Sequence, residues 1–92
     1  MRTIHESTAF RRDYKRERKG RHAPTISGDL TAVLSALVAD LALEPRLRDH
    51  ALSGDWSGCR ECHIRPDLLL IYRKAGDDVL MLVRLGSHSE LF

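Results

Sequence analysis

The most regular feature of the chain is an apolar spacing: Leu30, Val33, Leu34, Leu37, Val38 and Leu41 recur at i, i+3, i+4, i+7, i+8 and i+11. That spacing lines one face of an α-helix. Ala32, Ala36, Ala39 and Ala42 raise its helix propensity. Ser27 is the expected cap, and Asp29 sits near the positive end of the helix dipole. Pro45 should end the helix, because a residue before proline avoids helical backbone angles. Upstream, a basic helix is predicted over Phe10 to Gly20. Ser7 or Thr8 can cap it, Phe10 and Tyr14 share its core face, and Gly20 with Pro24 stops it. Arg2 to His5 is a short candidate strand.

Leu47 to Gly58 reads as a loop. Strands are predicted at Cys59–Ile64, Leu68–Arg73 and Val79–Arg84. Turns at Arg65-Pro66-Asp67 and at Ala75 to Asp78 separate them. Leu68 through Tyr72 is apolar on both faces, which makes it a central strand. Gly86 to Phe92 leaves the last strand and stops. The order β-α-α-β-β-β describes an α+β fold. It is a small antiparallel-rich sheet with the two helices as an N-terminal hairpin on one face, in one domain over residues 1–92.

Composition changes this picture little; the distribution of charge changes it more. The chain lacks an apolar run long enough to span a membrane, and MRTIHESTAF lacks the apolar core of a signal peptide. A cytoplasmic location is therefore expected. Net charge is only +2, but Phe10 to Arg21 holds Arg11, Arg12, Lys15, Arg16, Arg18, Lys19 and Arg21 against Asp13 and Glu17. On charge alone such a run is first a solvated helix face. A basic stripe on a near-neutral body is also the footprint of a protein that meets an anionic polymer.

The candidate chemistry gathers between Arg48 and Asp67, RDHALSGDWSGCRECHIRPD. There is no glycine-rich phosphate loop and no nucleophile elbow. Cys59 and Cys62 form a C-x-x-C without the second pair that structural zinc needs. Within a strand they face opposite sides, as two buried or half-buried thiols. His63 could add a third ligand, in competition with a better use of that histidine. No metal and no cofactor is expected. His50, His63 and His88, with Asp67 and Arg84, should converge on one sheet face. Histidine exchanges protons near neutrality, and arginine can hold a phosphate. RNA brings its own nucleophile, the 2′-hydroxyl, so cleavage needs only a base, an acid and a cation. His50, favoured over His63, would be the base, with Asp67 orienting an imidazole across the turn. His88 would be the acid, and Arg84 would neutralise the phosphate. Each residue also has a plainer use: Asp67 as a turn former, Arg84 at the polar end of an edge strand, Trp56 as a packing anchor. His5 and His22 have no evident partners.

The core D-H-x-L-x-G-x-W-x-G-x-R-x-x-H-I-x-P-D-x-x-L-I-Y and the tail R-x-G-x-H-x-x-L-F, read here from Asp49 to Tyr72 and from Arg84 to Phe92, resemble the YafQ branch of the RelE/ParE toxin superfamily. The resemblance implies a RelE-like, microbial RNase-like fold and ribosome-dependent mRNA cleavage without metal. It implies a cognate antitoxin as partner. It places functional residues on His50, His63, Asp67, Arg84, His88 and Phe92. It also turns the basic helix, through Arg11, Arg12, Lys15, Arg16, Arg18 and Lys19, into a contact for small-subunit ribosomal RNA. A ParE-like toxin that binds a protein target without RNase activity is the alternative. One departure stands out: relatives often carry Trp after the P-D, where this chain has Leu68. Trp there could stack on a base.

Overall fold

The computed structural model describes residues 1–92. Strand β1 (Thr3–Glu6) leads into α1 (Thr8–Glu17) and α2 (Ile26–Val38). A 3₁₀ turn at Pro45–Leu47 precedes β2 (His50–Ala51), and a second at Gly54–Trp56 precedes β3 (Arg60–Arg65). Strands β4 (Leu68–Ala75) and β5 (Val79–Gly86) follow, then a short α3 (His88–Leu91). The sheet runs β1-β5-β4-β3-β2, with β1 parallel to β5 and every other pair antiparallel. The expected order holds with two additions. The stretch read as a loop contains β2, and the tail coils into α3 instead of simply ending.

Both helices cover one face of the sheet. Phe10, Ile26, Leu30, Val33 and Leu37 pack on Cys62, Ile64, Leu68, Leu70, Tyr72, Leu80, Leu82 and Leu85. Leu69 and Ile71 point the other way and form a small second cluster with Leu91, flanked by Leu52, Trp56, Cys59 and Val83. Every residue from Leu68 to Tyr72 is buried, as a central strand covered on both faces requires. Cys59 and Cys62 do lie on opposite faces. Burial, then the charges of Asp49 and Glu61, push the Cys62 thiol up to about 12, so it stays neutral. Leu68 is fully buried among the helices, so it takes no part in stacking on a base.

Helix α2 starts and stops earlier than its pattern suggests. Its cap is Thr25, without a side-chain bond, rather than Ser27. Asp40 takes a left-handed φ of 56°. Its N–H donates to Leu37 O and that of Leu41 to Ala36 O, the paired bonds of a Schellman stop. Leu41 is thereby thrown into solvent, 61% exposed. The carboxylate of Asp40 accepts from Arg2 and Lys74 and ties the end of α2 to β1 and β4.

The edge of β5 is completed by α1. Strand β1 pairs with β5 only as far as Leu82. Beyond it, Ser7 caps α1 by accepting from Phe10 N–H and donates its hydroxyl to Val83 O. Asp13 accepts the N–H of Leu85, and Arg16 donates to the Leu85 carbonyl. Side chains thus satisfy backbone groups that a neighbouring strand would otherwise take.

Candidate active site

The sheet register builds the site. His50 stands opposite Glu61, Glu61 opposite Ile71, and Ile71 opposite Arg84. The next row is His63, Leu69 and Gly86. Directly opposed residues of antiparallel strands project from the same face. Ile71 and Leu69 belong to the second cluster, so both rows lie on the face away from α1 and α2. A bulge beyond the first row, between Ile71 and Tyr72, skips Val83 and resets the register of β5.

Glu61 is the centre of the arrangement. Its side chain is only 7% exposed, and its Oε2 lies 3.0 Å from His50 Nε2 and 3.9 Å from His63 Nε2. The two imidazole rings are 6.3 Å apart. Its other oxygen, Oε1, is buried with no hydrogen-bond partner. His50 Nδ1 donates to the carbonyl of Arg48 at 2.6 Å. A carbonyl only accepts, so His50 Nδ1 carries a hydrogen, and the 3.0 Å contact of Nε2 with Glu61 Oε2 is a hydrogen bond when one proton lies between them. A proton taken up at Nε2 is then held by Glu61. Sequence reading missed Glu61 because it sits inside the C-x-x-C; its place two residues before His63 was the available signal.

The backbone carrying His50 is clamped from the helix side. Tyr72 donates a 2.5 Å hydrogen bond to Asp49 Oδ1, and Arg60 donates to both oxygens of the same carboxylate. Burial first, then the Asp49 carboxylate, push the Tyr72 hydroxyl well above its usual value, so it remains a donor.

Two of the expected residues stand in other contacts. Asp67 does not orient a histidine: it is exposed at the β3–β4 turn and pairs with Arg21. A strand carboxylate, Glu61, contacts the His50 imidazole instead and faces that of His63, because alternation keeps it on their face. Arg16 is not a free basic residue of α1. It bonds Asp13, Glu17 and the Leu85 carbonyl and pairs with Glu90. Arg84 is only partly free: its Nε and Nη2 bond Asp13, leaving Nη1.

His88 and Phe92 stand at the rim of the same face. Ser87 and Glu90 form a reciprocal capping box that starts α3. Leu91 is buried against Leu69 and Ile71 and seats the helix. His88 is exposed, with its ring 5.0 Å from that of Phe92, whose other neighbour is the edge of Trp56 at 6.3 Å. Trp56 is half-buried in the second cluster, a packing anchor as read from sequence. A side chain at Gly86 would come within 2.9 Å of Arg16 Nη2 and 3.2 Å of Glu90 Oε1, so glycine lets that pair close over the strand end.

On α1, Arg11, Arg12 and Lys15 are exposed, and Lys19 follows them in the turn after the helix, which ends at Glu17 rather than Gly20. Arg18 lies over the Tyr14 ring at 5.7 Å. This basic surface belongs to the helix side. It meets the histidine face only at the edge of β5, where Asp13 binds both Arg84 and Arg16.

A family model described as the bacterial toxin of type II toxin–antitoxin system, YafQ, matches residues 2–92. The mRNA interferase toxin YafQ of Escherichia coli K12 is 36% identical over 93 residues, covering 100% of this chain and 97% of the relative. The toxin in the E. coli DinJ–YafQ toxin–antitoxin complex superposes with a TM-score of 0.83 at 36% identity, over 99% of this chain and 97% of that one. A metal-bound toxin from Helicobacter pylori is 41% identical with a TM-score of 0.83, over 100% of both chains.

Proposed function

The chain belongs to the YafQ family of bacterial type II toxins, and we propose that it is an mRNA interferase that cuts message on the ribosome and is silenced by a cognate antitoxin. The observation that carries the mechanism is the carboxylate of Glu61 between His50 and His63 on the sheet face left open by the helices. The His50–Glu61 pair, with no proton between the two, takes the proton of the 2′-hydroxyl at His50 Nε2, and Glu61 holds the imidazolium so formed. The 2′-oxygen attacks phosphorus, the bond to the 5′-oxygen breaks, and His88 gives that oxygen its proton. Arg84 Nη1 faces the charge gathering on the phosphate. His63 and Phe92 position the nucleotides, and Arg11, Arg12, Lys15 and Lys19 dock on small-subunit ribosomal RNA. A toxin that works only by binding a protein target has no use for the buried carboxylate or its two histidines.

Mapping product ends tests this reading. Cleavage should leave a 2′,3′-cyclic phosphate and a 5′-hydroxyl and survive EDTA once the ribosome's magnesium is controlled for. The H. pylori relative is metal-bound, so the chelator arm discriminates. A 5′-phosphate and 3′-hydroxyl would mean attack by water and overturn the mechanism.

A further inference from the structure

We infer that the cavity at the outer edge of β3, beside His63, is an anion subsite for a backbone phosphate of the RNA strand on the 5′ side of the cut. The inference rests on the cleavage reading above. The cavity measures about 320 Å³ and is lined by Arg46, Arg48, His63, Ile64, Arg65 and Pro66. Three guanidiniums and an imidazole line it, and no acid does. That is roomy enough for a phosphodiester, and its lining donors suit an anion.

Two of the three arginines are ion-paired, yet each keeps donors free. Glu44 grips Arg46 through Nε, and Asp29 grips Arg65 through Nε. In both cases the two terminal nitrogens keep their hydrogens for another acceptor. Arg48 has no side-chain partner. It stands in the left-handed region at φ 51°, ψ 43°, where a non-glycine residue is strained. That conformation serves two groups at once: the Arg48 carbonyl holds His50 Nδ1, and its side chain lines the cavity. One residue therefore joins the base to the subsite.

The direction of the strand follows from the sheet. Helix α3, with His88, sits over β4 and β5, whereas the cavity lies beyond β3 on the far side of His63. His88 serves the departing 5′-oxygen, so the downstream strand lies on its side. The nucleotide that supplies the 2′-hydroxyl lies by His50, and its own 5′-phosphate reaches the arginines.

The probe is a fluorescent single-stranded RNA with a 2′-deoxy residue at the cleavage position, read by anisotropy over a salt series. Removing the phosphate 5′ of that residue should weaken wild-type binding roughly tenfold, as expected for one charge-assisted contact. The salt slope should fall by about 0.7. Arg48→Gln and the double variant R46Q/R65Q should bind the long and short oligonucleotides alike, with Arg→Lys restoring part of the difference. Arg48→Gln disturbs no ion pair, and its thermal melt checks the fold. Equal loss on truncation in wild type and both variants, or none in wild type, overturns the subsite. If instead only ribosome cosedimentation responds to the variants and the oligonucleotide does not, the contact is to ribosomal RNA and the assignment to the cleaved strand is wrong. Wild-type cleavage of message in a translation reaction is scored separately, because its absence overturns the activity and leaves the binding result standing.

Discussion

Asp13 on α1 and Arg84 on β5 form an ion pair with Nε 2.7 Å from Oδ2, and it joins the basic helix to the histidine face. Asp13 is 2% exposed and also accepts the N–H of Leu85. Burial pushes its carboxyl upward. The Arg84 hydrogen bond, the Leu85 N–H and the charges of Arg84 and Arg16 together outweigh that and hold it below the ordinary 3.8. Glu90 is likewise held below its ordinary 4.5, first by the Ser87 backbone N–H. For a depressed carboxyl, the folded state gains stability that is complete above the unfolded pKa and lost as pH falls through the folded one. Asp13→Ala should cost about 2–4 kcal/mol near neutrality. Its stability should also fall less than that of wild type between about pH 5 and pH 2. Urea denaturation across that range measures both; parallel pH curves would deny Asp13 this role.

Glu61→Gln keeps size and removes charge. The imidazolium formed at His50 then loses its partner, so single-turnover cleavage should drop roughly 10–100-fold with little change in ribosome affinity, as misplacement of a catalytic group typically does. The fold should persist, since the variant removes a buried charge with an orphaned oxygen. Wild-type rates in Glu61→Gln would mean that the carboxylate is only structural.

The Tyr72–Asp49–Arg60 clamp should act on catalysis through His50. Tyr72→Phe removes one short hydrogen bond and should cost about 1–2 kcal/mol of stability. Asp49→Ala should lower the cleavage rate more than Tyr72→Phe, and Asp49→Asn, which can still accept from Tyr72, should recover part of it. The discriminating readout is the pH–rate profile, which ought to shift for Asp49→Ala; a purely structural clamp would lower stability and leave the profile in place.

His88→Ala should slow cleavage by about 10²–10⁴-fold, the usual loss for a positioned general acid. Because α3 is held by Leu91 and the capping box, not by His88, stability should barely change. Unaltered single-turnover rates would place the acid elsewhere.

Charge reversal on α1 separates docking from folding. Arg11→Glu, Arg12→Glu and Lys15→Glu together should weaken cosedimentation with ribosomes, most at low salt, and leave the melting curve near wild type. Arg16→Glu should instead destabilise the fold, because it opposes Asp13, Glu17 and Glu90 at once. Undiminished cosedimentation of the triple variant would return α1 to being a solvated face.

Sequence by itself determined the elements with strong periods and the residues with strong chemistry. The spacing from Leu30 to Val38 gave α2, and the unbroken apolar run from Leu68 to Tyr72 gave the central strand, because burial of a whole face leaves a repeating mark. His50, His63 and His88 were legible as titratable side chains in one region, and the motif around them carried the family. Register was not legible. The pairing of His50 with Glu61 depends on β2, two residues long, too short for alternation to show. Glu61 could be recognised only once that pairing set it between two imidazoles, and Asp67 stands apart from them because the turn aims it at Arg21. Arg16 and Arg84 read as free cations until α1 docked on the unfinished edge of β5 and Asp13 claimed them both. Long-range contacts of this kind depend on which backbone groups the sheet leaves unpaired, and those are fixed by tertiary packing, not by local sequence.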